Sequence, residues 1–285
     1  MFYIVKKPLG ISSNLVSKIL KRVLDVPKIG FAGTLDPLAT GLMIIGTLWS
    51  PRLFPLLDTL PKTYTATIRL DGTTASYDLE HPVEPLLIDQ KIIDTLSQEA
   101  ITSVIQKNFI GEILQSPPMY SAIWIDGQRA YELARKGDDR REVAPKKRTV
   151  HAFEIISYSW PTLICEIQVS HGTYIRSIAR DLGTMLWTGG YLERLERTAI
   201  GHISLEARKW IQHNDIFYAP LGHEELFPEI PVLELSADNR EHLRLWSTPI
   251  KTAERDGYYF TIYQDTRYGL LEAKEGLLFP VKNSV

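Results

Sequence analysis

The chain has 285 residues, 44% of them hydrophobic, enough to bury one large core with a smaller unit beside it. No apolar run reaches the ~18 residues of a membrane-spanning helix, and the single cysteine, Cys165, excludes an internal disulfide and fits a reducing, cytoplasmic setting. Lys and Arg total 32 against 34 Asp and Glu, a formal net charge of −2 that excludes a uniformly basic nucleic-acid binder.

In chain order, residues 1–7 carry a few apolar side chains, then charge and a proline, which predicts a first strand over 2–6 and not a secretory signal. Residues 15–24 predict an amphipathic helix with Leu15, Val16, Ile19, Leu20 and Val23 on one stripe, and Ser12, Ser13 and Asn14 are ready caps. The next stretch is Gly30-Phe31-Ala32-Gly33-Thr34-Leu35-Asp36-Pro37-Leu38-Ala39-Thr40-Gly41. Its glycines permit tight turns and close approach of a ligand, and Pro37 pushes Asp36 toward extended geometry. A carboxylate on such a rigid loop suits a nucleophile or base. Asp36-Pro37 is equally a cap and first residue of a short helix.

Residues 42–46 are a continuous apolar run ended by glycine, which predicts a buried strand. Residues 64–70 alternate, with Tyr64, Ala66, Ile68 and Leu70 on one side, the pattern of a half-buried strand. One or two surface helices are expected over 88–109, then a loop at Pro117-Pro118, a strand over 121–125, a hairpin turn at Asp126-Gly127 and a helix over 130–135. Residues 152–160 and 163–170 read as paired strands joined at Trp160-Pro161, with Cys165 a buried core thiol. Residues 174–186 read as a helix with Ile175, Ile178, Ala179 and Leu182 on one face. On spacing alone Arg176 and Arg180 are surface residues of that helix, and Leu195 is a core leucine at helical spacing.

Pro220, Gly222 and Pro228 mark a boundary within 211–230, and short strands follow at 232–235, 258–263 and 269–273. Together these elements predict an α+β fold: a largely antiparallel mixed sheet flanked by helices and loops over 1–215, and a small β-rich unit over 216–285. Charge is uneven despite the near-neutral total. Lys6, Lys7, Lys18, Lys21, Arg22 and Lys28 face only Asp25 within residues 6–28, and Arg140, Arg141, Lys146, Lys147 and Arg148 face only Glu142. Residues 224–241 are acidic. This predicts a polarised molecule with one phosphate-facing side. The seven histidines show no zinc-ligand spacing, and there is neither a Gly-x-Ser-x-Gly elbow nor a phosphate-binding P-loop.

The chain resembles the TruB family of RNA pseudouridine synthases. Its Gly33-Thr34-Leu35-Asp36-Pro37-Leu38-Ala39-Thr40-Gly41 is that family's signature, flanked in order by Lys7-Pro8-Leu9-Gly10-Ile11-Ser12-Ser13 and Lys62-Thr63-Tyr64-Thr65-Ala66. Gln115-Ser116-Pro117-Pro118-Met119-Tyr120-Ser121-Ala122, Asp126-Gly127 with Tyr131-Glu132-Leu133-Ala134-Arg135, and Gly172-Thr173-Tyr174-Ile175-Arg176-Ser177 with Asp181-Leu182-Gly183 follow. Six collinear blocks are far more specific than any one of them.

The resemblance implies a pseudouridine-synthase fold acting on the T-loop uridine of tRNA (position 55), as a monomer with no cofactor, metal or protein partner. It implies Asp36 as the catalytic carboxylate, Arg176 as its charge partner and Tyr64 as the ring stacked on the target uracil. Gly33, Lys62, His171, Tyr174 and Leu195 map to the substrate pocket, and the last seventy residues to a small RNA-binding domain of the PUA kind. Phe31 stands where the family has a histidine beside the everted bases, and stacking there is worth about 1–3 kcal/mol. His171 stands where lysine is common, and the family's Gly-x-Ala-Thr-Lys reads Gly46-Thr47-Leu48-Trp49-Ser50. The competing readings are a tRNA-binding folding chaperone using the same cleft, and a guide-RNA-directed subunit of a larger complex, against which the short chain without basic tails argues.

Overall fold

The protein is described from a computed structural model covering residues 1–121, 123–125, 127–137, 143–206, 208–236, 250–252, 254–263 and 266–280. Ala122, Asp126, Arg140, Arg141, Glu142, Asp238, Glu241 and His242 of the sequence reading lie outside the described residues. No helix among the described residues is long and apolar enough to cross a membrane.

The apolar N-terminal segment forms strand β1 (Phe2–Lys7), and helix α1 (Ser13–Val23) follows. The Ser12 hydroxyl accepts a hydrogen bond from the Leu15 backbone N–H, the N-cap expected of serine. Val16, Ile19, Leu20 and Val23 of the expected stripe pack on the main apolar cluster, with Ser13 and Ser17 buried beside them, while Leu15 is turned outward.

Strands β2 (Ile29–Ala32), β3 (Ala39–Thr47), β4 (Lys62–Arg69), β5 (Gly72–Thr73) and β6 (Glu84–Pro85) come next, with the short helix α2 (Phe54–Leu57) between β3 and β4. The polar stretch after them divides into α3 (Gln90–Ile93) and α4 (Gln98–Asn108), and β7 (Gly111–Gln115), the hairpin β8 (Trp124–Ile125) and β9 (Gln128–Arg129), and α5 (Ala130–Arg135) follow. The paired strands are β10 (Lys146–Ser159) and β11 (Thr162–Val169), then α6 (Ile175–Met185).

Residues 191–200 form β12 (Tyr191–Ile200), a strand where the leucine spacing suggested a helix. Pairing on both sides overrides the local pattern, since β12 lies parallel to β3 and antiparallel to β4. Strands β13 (Ile203–Ser204), β14 (Ile211–His213) and β15 (Ile216–Leu221), helix α7 (His223–Leu226), and strands β16 (Val232–Glu234), β17 (Ile250–Lys251), β18 (Gly257–Tyr263), β19 (Thr266–Lys274) and β20 (Leu277–Pro280) complete the described elements.

The large sheet runs β14-β15-β1-β3-β12-β4-β11-β10-β7, with β2 added on β3 and β13 on β12. Its pairings are antiparallel apart from β3 with β12. The sheet thus continues past residue 215: β15 pairs with β1 from Phe2 opposite Leu221 to Lys6 opposite Phe217. A second, five-stranded sheet runs β16-β18-β19-β20-β17.

Two apolar clusters cover the two faces of the large sheet. One joins Val5, Leu20, Met43, Ala66, Ile105, Ile167, Ile178 and Leu182, which brings α1, α4 and α6 onto one face. The other joins Phe2, Ile4, Leu42 and Ile44 to Phe227, Phe260 and Leu270, which ties the five-stranded sheet to the opposite face. Helix α6 packs on the sheet through glycines. A Cβ on Gly183 would stand 2.0 Å from the Gly189 carbonyl oxygen, and one on Gly190 would stand 2.1 Å from that of Ala179.

Candidate active site

Asp36 lies in the six-residue connection between β2 and β3, and its neighbours are fixed from several sides. Pro37 and Leu38 form a turn in which the Ala39 N–H donates to the Asp36 carbonyl (3.0 Å), so Asp36-Pro37 opens a strand and not a helix. The buried Lys7 ammonium donates to the carbonyls of Pro8 (2.9 Å), Pro37 (3.1 Å) and Ala39 (2.5 Å). Ser13 both donates to the Leu35 carbonyl (2.8 Å) and accepts from its N–H (2.9 Å). On the other flank Arg197 donates from Nε to Leu42 (2.7 Å) and from Nη2 to Gly33 (2.9 Å). Buried Leu35 anchors the loop, and the Asp36 side chain is left 35% exposed.

Arg176 reaches Asp36 from the first turn of α6, its Nε 2.9 Å from Asp36 Oδ2. Its Nη1 donates to the Ser76 carbonyl (3.1 Å) and its Nη2 to that of Tyr120 (3.0 Å). The start of α6 is held in turn by Gln115, which donates to the Tyr174 carbonyl (3.0 Å) and accepts from the Tyr174 N–H (2.8 Å). Arg176 is buried, unlike the surface residue its spacing alone suggested, because main-chain carbonyls and two carboxylates surround it. The second carboxylate, Asp78, lies 3.6 Å from Nε and accepts from the Ser76 hydroxyl (2.5 Å) and the Glu80 N–H (3.0 Å).

Burial pushes the Asp36 carboxyl above its ordinary range; Arg176 and Lys7 oppose the shift and Asp78 adds to it. Burial also raises Glu80, with Asp78 and Asp36 adding to the effect. Lys7 is brought down to about 8 by burial, against the pull of Asp36 and Glu80.

A cleft of about 230 Å³ opens over this centre. Asp36, Arg176, Tyr64, Gly33, Lys62, His171, Tyr174 and Leu195 all line it. Tyr64 comes from β4 and Leu195 from the adjacent β12, opposite Ala66. Phe31 does not join them. It sits on β2 opposite Ile45, and its ring packs against the main apolar cluster, where a phenylalanine is more stable than in an open cleft.

Two buried charged residues of the centre were not singled out from the sequence. Asp78 sits in no recognisable motif. Arg197 had a signal: on a strand Leu195 and Arg197 share a face, but the helical reading of 192–197 hid that periodicity.

Residues 21–175 match the profile of the TruB family pseudouridylate synthase (N terminal domain). The tRNA pseudouridine synthase B of Chlorobaculum tepidum is 41% identical over 208 residues, covering 72% of this chain and 85% of that protein. The tRNA pseudouridine synthase B of Parabacteroides distasonis is 41% identical over 206 residues, with 70% and 85% covered. In fold, the chain is similar to one in the structure of an H/ACA RNP bound to a substrate RNA containing 2'-deoxyuridine, with a TM-score of 0.64 at 18% identity over 99% of this chain and 84% of that one.

Proposed function

The chain belongs to the TruB family of pseudouridylate synthases, and from that premise we propose that it converts uridine to pseudouridine at position 55 in the T-loop of tRNA, with Asp36 as the catalytic carboxylate. The observation that carries the reading is the Asp36–Arg176 ion pair at 2.9 Å, accessible from the cleft on the Asp36 side and buried on the arginine side. A protein that merely grips RNA has no need of a carboxylate held against its own charge preference and left open to a ligand.

The reaction breaks the bond from C1′ of the ribose to N1 of the uracil and forms one from C1′ to C5. The C5 proton is lost and N1 gains one, so nothing is oxidised or reduced. Ionised Asp36 serves as nucleophile or as the base that removes a sugar proton. Arg176 orients it and favours its charged form, and the backbone bonds to Ser76 and Tyr120 keep the guanidinium from following the substrate. The Tyr64 ring stacks on the uracil with Leu195 and Tyr174 as neighbouring walls, and the Tyr64 hydroxyl handles the C5 proton. A uridine in a folded loop has to leave its stack to enter this cleft.

The test is tritium release from tRNA labelled at C5 of uridine. Wild type is expected to release tritium and Asp36→Asn to stay at background while retaining tRNA affinity within a few fold. Release from neither protein, with tRNA still bound, would make this a tRNA binder or folding chaperone and overturn the proposal.

A further inference from the structure

One part of the cleft carries charge that the isomerisation leaves unused. Arg197 and Lys62 both line it and are buried, 1% and 6% exposed. Among the described residues neither has a carboxylate within ion-pair distance. Arg197 uses Nε and Nη2 on main-chain carbonyls, which leaves Nη1 beside Gly33. Lys62 Nζ meets the Leu60 carbonyl (3.1 Å), the Leu57 carbonyl (3.4 Å) and Nδ1 of His171 (3.4 Å), dipoles without a full negative charge. Burial, with Arg197 adding to it, lowers Lys62 to about 8. Two buried cations side by side are costly unless an anion compensates them.

The space for such an anion is present. Gly33 has φ +63°, and a Cβ there would stand 3.2 Å from Arg197 Nη1 and 3.9 Å from Lys62 Cε, so the missing side chain keeps the ground between the two cations open. His171 and Gly172 form the rim, and Arg148 Nε donates to the Gly172 carbonyl (2.8 Å). The nearby carboxylate, Asp58, is half-exposed and already engaged with His171 at 3.0 Å.

We propose that the ground over Gly33, bounded by Arg197, Lys62 and His171, seats one RNA phosphate next to the nucleotide whose sugar and base lie at Asp36. The inference rests on the reading of the cleft as a nucleotide site. Gly33 and Asp36 are at most ~11 Å apart along the chain, the span of a nucleotide and its neighbouring phosphate. Charge favours one orientation. At the Asp36 centre Arg176 and Lys7 already face the carboxylates of Asp36, Asp78 and Glu80, whereas Lys62 and Arg197 have no carboxylate at ion-pair distance among the described residues, so the phosphate is drawn to the second pair.

The experiment measures the dissociation constant of unmodified tRNA against salt concentration for wild type, Lys62→Gln and Lys62→Arg. Each protein is first checked by thermal melting, and pseudouridine formation is followed in parallel. Lys62→Gln is expected to weaken binding several-fold and to lower the slope of log affinity against log salt by about 1, with Lys62→Arg restoring both. Inorganic phosphate, at ionic strength matched with chloride, is expected to displace tRNA from wild type and Lys62→Arg but not from Lys62→Gln. A folded Lys62→Gln protein with wild-type affinity, slope and phosphate sensitivity overturns the seat even if pseudouridine forms. Phosphate competition that depends on Lys62, without pseudouridine formation in any protein, supports the seat and overturns the isomerase reading alone.

Discussion

Asp36 has to act as an anion in a place where burial disfavours its charge. Two consequences follow from the sign of that shift. Activity needs the ionised form, so kcat/KM for tRNA should rise with pH through a limb displaced upward from the ordinary carboxylate range. Arg176→Gln removes the strongest opposing influence and should move the limb further up. A limb at an unperturbed carboxylate pH in wild type would refute the environment described. Stability runs the other way. A carboxyl whose folded pKa lies above its unfolded one stabilises the protein while protonated, and that stability is lost as pH rises through the folded pKa. Asp36→Asn should therefore melt higher than wild type at neutral pH, with the gain shrinking as the buffer is acidified. Arg176→Ala is a different case, because it strands the buried Asp78 carboxylate and takes the partner from the half-buried Asp36. A loss on the order of 3–5 kcal/mol is expected in denaturant titration together with loss of turnover. Arg176→Lys should recover part of the stability and little of the turnover, since one ammonium cannot reach Ser76, Tyr120 and Asp36 together.

At the scale of elements, the arginine is aimed by α6, and α6 is placed by its glycines. Gly183 allows the helix backbone to lie against Gly189 and Gly190, and no side chain fits there. Gly183→Ala gains helix propensity, worth up to about 1 kcal/mol. It must still push the helix off the chain leading into β12, which costs about 1–3 kcal/mol or more. Thermal melting should show a net fall of several degrees, and turnover should drop further than the lost stability explains, because Arg176 moves with the helix. Unchanged turnover in the folded variant would mean that α6 does not set the guanidinium position. The sequence made much of this level readable. Alternation in 64–70 marked β4, serine marked the start of α1, and the glycine-proline loop marked where a carboxylate is held. What it could not show is what pairing decides. Residues 192–197 carry leucines at helical spacing, yet β3 and β4 claim them as a strand. Asp78 is recruited by Arg176 from a segment with no pattern of its own, and Phe31 is taken by the core through the pairing of β2 with β3.

For the molecule as a whole, the large sheet separates two tasks. On one face and its end lie the cleft and the cluster that supports it; on the other, Phe2, Ile4 and Phe227 meet Phe260 of the five-stranded sheet. Phe260 is 3% exposed, with ring centroids 5.7 Å from Phe227 and 4.6 Å from His223. Edge and tilted contacts of this kind add to the area buried, so Phe260→Ala should cost about 3–5 kcal/mol. If the five-stranded sheet serves the large one through this face alone, the loss should show as a lower melting temperature, with kcat at moderate temperature near wild type. Affinity for tRNA separates the cases. An unchanged dissociation constant would make the contact purely structural, since none of its residues lines the cleft. A weakened one, in protein shown to be folded, would mean that the five-stranded sheet has to be held at a fixed angle to grip the same tRNA. The division of labour between the two faces would then be wrong.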